Sequence, residues 1–164
     1  MKINFGNLFK IKVEKENSEN VEEINDSEII EIERKEHDNH VKFYYTNIIN
    51  SLILHTYNTK ELDKMVPVLI DPLAELYEEL DYAFLPVLFE TVFRNRLIDE
   101  SFKQELLDFK KKVDEIPGEL WDWEILDTNE IWKDIRTNAE TLLNKLNIES
   151  RAYNEGHTTI IFKK

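Results

Sequence analysis

The sequence predicts a mainly α protein, a bundle of five or six helices from about Val41 to Asn147, finished by a small β-element taken from the two chain ends. Three observations carry that reading. Beyond Asp127, residues Ile131, Trp132, Ile135, Ala139, Leu142, Leu143 and Leu146 recur at three- and four-residue steps, which places them on one stripe of a helix. Residues 82–98 are the most apolar stretch of the chain and suit a helix at the centre of a core. Near the end, Tyr153 to Gly156 has turn composition and Thr158 to Phe162 is β-branched and aromatic, so residues 149–163 read as a β-hairpin.

Taken in order, the chain begins with Phe9, Ile11 and Val13 alternating with Lys10 and Lys12, the pattern of a short half-buried strand that would pair beside the hairpin. From Ser18 to His40 nine acids face only Arg34 and Lys35, and no aromatic residue is present. Such a composition has little apolar surface to offset its ordering entropy, so residues 1–40 are expected to be an acidic, partly mobile arm. Within it, Ile29, Ile30 and Ile32 fit either a short strand or one helical turn. Residues 41–164 are then the helical domain, with the hairpin at its end.

Ile48, Ile49, Leu52 and His55 follow Tyr44 and Tyr45 on a helix that ends near Tyr57. Asn58 with Glu61 forms a capping pair for the next helix. Pro67 lacks an amide hydrogen and Asp71 with Pro72 makes an N-cap and first position, so either two short helices or one bent helix runs from Leu62 to Leu80. Pro86 marks a first turn, Ser101 and Gln104 have capping-box spacing, and Phe102, Leu106, Phe109 and Val113 define an amphipathic helix stopped by Pro117 and Gly118. Asp127 and Glu130 have the spacing to cap the last helix. Residues 119–146 hold all three tryptophans, and the sequence marks this stretch as the one the rest of the chain packs around.

A chain of 164 residues suits one domain with a core of its own. Cysteine is absent, which removes disulfides, thiolate zinc sites and thiol nucleophiles. Neither an amino-terminal apolar segment nor a membrane span is apparent, so a cytoplasmic location is expected. The formal net charge is −13. A surface that acidic repels nucleic-acid phosphates and anionic lipid, whereas it speeds encounter with a basic protein; it also favours solubility with no partner at all.

Motifs for catalysis are missing. The three glycines, Gly6, Gly118 and Gly156, lie far apart, which excludes the phosphate-cradling P-loop, the dinucleotide fingerprint and the nucleophile elbow. No His-Glu-x-x-His occurs, and none of His37, His40, His55 and His157 follows Glu at three residues. His37 and His40 share helical spacing but supply only two ligands where a closed site needs three or four. His55 fits a hydrogen-bonded core histidine. Asp26, Glu33 and Lys35 imitate a nuclease magnesium group without the basic groove that would hold a substrate. Glu75, Glu78 and Glu79 fit a solvated face. No catalytic residue, metal site or cofactor is assigned.

Glu119, Trp121, Asp122, Trp123 and Glu124 form the candidate partner-binding cluster. Trp121 and Trp123 would lie about 200° apart on a regular helix, so either one reaches outward as a hot spot among acids or both clamp the core from an irregular connector. The functional expectation is a non-enzymatic acidic protein that binds and neutralises a basic protein, as immunity and antitoxin proteins do. The competing expectations are a metal-dependent hydrolase whose carboxylates and histidines meet only in three dimensions, and a structural subunit of a larger, for example phage, assembly.

Overall fold

The computed structural model describes residues 26–66 and 68–157, which form seven α-helices and three 3-10 turns. They are α1 (Asp26–Asn39), α2 (Val41–Leu54), α3 (Thr59–Asp63), α4 (Pro72–Ala83), α5 (Pro86–Arg94), α6 (Lys103–Asp114) and α7 (Glu130–Lys145). No strand occurs among the described residues, so the mainly helical class holds and the β-element finds no support among them. The expected strand at Phe9 to Val13 lies outside the described residues, as do residues 158–163 of the expected hairpin. Residues 149–157 are irregular coil ending in a 3-10 turn at Glu155–His157. Their backbone bonds to helix side chains: Asn50 donates to Asn154 O at 3.0 Å and accepts from Asn154 N at 2.9 Å. Tyr57 adds to this by donating to Arg151 O and accepting from Tyr153 N.

The centre of the core is α2, not residues 119–146. Every residue from Asn47 to Leu54 is buried, and α2 touches α1, α4, α5 and α7. Its polar residues are what kept it inconspicuous in the sequence. Ser51 donates to Ile48 O and Asn50 is taken up by the carboxy-terminal coil, so both are buried at little cost. Against α2 pack Leu76 and Leu80 of α4, Leu88, Phe89 and Val92 of α5, and Ile135, Ala139 and Leu143 of α7. α6 closes the bundle by lying on α7 through Leu106, Phe109 and Val113.

Local punctuation sets the helix ends. Asn58 and Glu61 form the expected capping box of α3, and Asp71 accepts from the amides of Leu73 and Ala74 with Pro72 at the first position of α4. The chain makes two short helices there, and Pro67 itself lies outside the described residues. The apolar run 82–98 is divided, because Pro86 holds Leu85 extended (ψ 128°) and so separates α4 from α5. α5 therefore buries one face and leaves Leu85 and Val87 exposed. Two capping expectations are corrected. Asp99, not Ser101, caps the turn before α6, its carboxylate taking both the amide and the hydroxyl of Ser101. Asn129, not Asp127, caps α7 by accepting from Ile131 N at 2.9 Å. Asp127 is drawn away by stronger partners: it accepts from Thr59 N and Oγ1 and pairs with Arg136 at 3.0 Å, tying the start of α3 to α7.

The acidic arm also differs from expectation in its second half, since residues 26–39 form α1. None of its residues is buried. It is held at its last turn, where Asp38 accepts from Arg94 and Asn95, each at 2.6 Å, and His37 Nδ1 lies 3.1 Å from the Tyr44 hydroxyl. No helix among the described residues is long and apolar enough to cross a membrane.

Candidate partner-binding surface

The connector between α6 and α7 explains how its two tryptophans diverge. Gly118–Leu120 is a 3-10 turn, Trp121 leaves it with ψ 67°, and Asp122 Oδ1 accepts from Glu124 N at 2.8 Å. That Asx turn bends the backbone, so no regular helix exists to impose its period. Trp121 turns inward and is half-buried, meeting Trp132 edge-on with centroids 4.9 Å apart and Tyr77 edge-on at 5.8 Å. Trp132 in turn donates from Nε1 to Leu120 O at 2.7 Å, which fixes the connector to α7. Trp123 faces solvent at 36% exposure, as do Glu119, Asp122 and Glu124. Trp121 is thus a clamp and Trp123 a surface residue, so the two do not both clamp the core.

Trp121 also forms a wall of a cleft of about 310 Å³ with Asp71, Leu73, Ala74, Tyr77 and Glu78. Tyr77, one step past the buried Leu76 on α4, is 45% exposed and carries the aromatic floor of this cleft. Only Trp121, brought in from a segment more than forty residues away, shows that face of α4 to be special. The cleft is electronegative. Glu75, beside it on α4, has its carboxyl raised above the ordinary range by partial burial, opposed by a hydrogen bond with the Ile70 backbone and reinforced by repulsion from Glu78 and Asp71. Glu79 is raised by burial too, against the lowering effect of the Tyr153 hydroxyl that donates to it. The face read as solvated thus turns two of its three acids partly inward.

The cation nearest the aromatic floor is Lys110 of α6, whose Nζ lies 5.5 Å from the Tyr77 ring centroid. It is committed to Asp114 and, at 3.3 Å, to Asp81. Burial pulls its pKa down and these two carboxylates overcome that pull, so it stays a cation.

The histidines do not converge. His55 is 4% exposed, bonds through Nδ1 to Ser51 O at 2.7 Å and meets Phe109 edge-on. Burial lowers its pKa to about 4, and its Nε2 has no hydrogen-bond partner among the described residues. His37 contacts Tyr44, and His40 sits at the junction of α1 and α2 with its ring 6.4 Å from that of Tyr44. Among the described residues no group of three or more His, Asp or Glu side chains is placed to hold a metal ion. No protein-family model matches the chain, and no curated protein or solved structure matches it.

Proposed function

We propose that this chain is a non-enzymatic acidic interaction protein that docks onto a basic protein and neutralises it, in the manner of immunity and antitoxin proteins. The observation that carries the reading is the cleft in which Tyr77 and Trp121 present aromatic surface under a rim of Asp71 and Glu78, with Trp123 exposed on the same connector. An arginine or lysine of a partner placed there meets aromatic surface and carboxylates, the pairing that concentrates binding energy in a few interface residues. The net charge of −13 supplies long-range attraction that speeds encounter.

The test is affinity capture from lysate at low salt followed by elution in a salt gradient, repeated with Trp123→Ala and Glu78→Gln. Captured protein should be basic and should elute as salt rises, because the Debye length shrinks to about 8 Å near 0.15 M. Each variant should weaken binding about tenfold or more, the effect expected of a hot-spot residue. Capture of nothing, or of a partner indifferent to salt and to both substitutions, overturns the reading.

A further inference from the structure

The least explained element of the fold is α1. Its residues Ile30, Glu33, Arg34 and His37 fall at successive steps of three, one and three and so share a face. With Pro86, Val87, Glu90 and Arg94 of α5 that face encloses a groove of about 370 Å³, in which Glu33 and Glu90 lie beside Arg34 and Arg94. The groove is apolar where it is open: Ile30 is 54% and Val87 56% exposed. A helix this exposed gains little from packing against the other described residues.

Two features say what covers the groove. Residues 1–13 contain Lys2, Lys10 and Lys12 and no acid, with Ile3, Phe5, Leu8, Phe9, Ile11 and Val13 between them. They are the one strongly basic and apolar stretch ahead of α1, which itself carries six acids, Asp26, Glu28, Glu31, Glu33, Glu36 and Asp38, against Arg34 and Lys35. The twelve residues from Glu14 to Asn25 join the two. Extended, they span up to about 40 Å. α1 is only about 21 Å long, so the chain can fold back along its whole length. A second copy is the poorer occupant, since two chains of net charge −13 repel each other.

We propose that residues 1–13 of the same chain lie in the groove between α1 and α5, their apolar side chains on Ile30 and Val87 and their lysines against the acids of α1. This intramolecular surface is independent of the partner reading at Trp121. It also covers Ile30, which is 54% exposed.

Absence of cysteine makes the test direct. A nitroxide is attached to the full-length chain at Val87→Cys, and amide signals of residues 3–13 are compared with the label oxidised and reduced. The expected result is strong broadening of those signals, reproduced with the label at Glu33→Cys if the first position disturbs the fold. Undiminished signals for residues 3–13, or broadening confined to residues 158–164, would falsify the proposal. So would broadening carried from a labelled chain without isotope to an isotope-enriched chain without label, which would assign the groove to a second copy.

Discussion

Helices α1 and α2 are neighbours in sequence, each fourteen residues long, and they differ in almost everything else. α1 buries nothing, though Ile29, Ile30 and Ile32 lie on it; α2 buries eight consecutive residues, though Asn47, Asn50 and Ser51 are among them. Hydrophobic content therefore does not decide which helix forms the core. Position does: α2 has α4, α5 and α7 on three sides, so even its amides and hydroxyls are enclosed, whereas α1 touches α2 and α5 far more sparsely. Polar residues in α2 survive enclosure because bonds lost to water are replaced, apart from Asn47 Nδ2, which has no partner among the described residues.

The contrast is sharpest in core truncation. Leu52→Ala, at a site with no solvent exposure, should cost about 2–5 kcal/mol in urea unfolding, while Ile32→Ala should fall within about 0.5 kcal/mol. Equal costs would erase the distinction between the two helices. Acid comes next. His55 has its pKa depressed from 6.5 to about 4 by burial, so its neutral form is favoured in the folded state and the unfolded chain takes up the proton first. Its stability contribution is therefore complete above pH 6.5 and is lost as pH falls towards 4, about 3 kcal/mol in all. Glu75 and Glu79, raised by burial, act in the opposite sense as pH climbs past 4.5. Urea melts between pH 7 and 4 should show the histidine limb, and His55→Leu should flatten it.

A smaller effect is expected at Asn50→Ala, which removes both bonds to Asn154 and should cost about 1–3 kcal/mol, with faster protease cleavage near residue 152. For α1 the corresponding lever is Asp38, held below its ordinary pKa by Arg94 and Asn95. Asp38→Asn should accelerate amide exchange across α1 and leave the global melting temperature nearly unchanged, as the loss of an exposed pin should. A large drop in melting temperature would make α1 part of the core after all.

Much of this arrangement was legible from local chemistry. Asn58 with Glu61, Asp71 with Pro72, and Pro86 mark helix starts through interactions that span at most four residues, so sequence spacing suffices to find them. What was not legible depends on remote partners. Asp127 has the spacing of a cap, but Thr59 and Arg136 claim it; residues 149–157 have turn chemistry, but Asn50 and Tyr57 take the bonds a strand would have taken. At the candidate site the sequence flagged Trp121 and Trp123 and could not say which faces outward, because the Asx turn at Asp122 breaks the periodicity that would have decided it. Tyr77 carried no signal of its own, since its spacing is that of its buried neighbours Leu76 and Leu80.

The clasp between Asn50 and Asn154 bears on how the molecule assembles as it is made. Sequence positions 104 apart are joined there, one at the centre of the bundle and the other beyond its last helix. A ribosome can deliver α2 through α7 and allow the helices to collapse while the Asn50 amide still faces open water. The lock closes only after residues 149–157 emerge, so an arrested chain ending near Leu146 would hold the helices together with the buried face of Asn50 left wet.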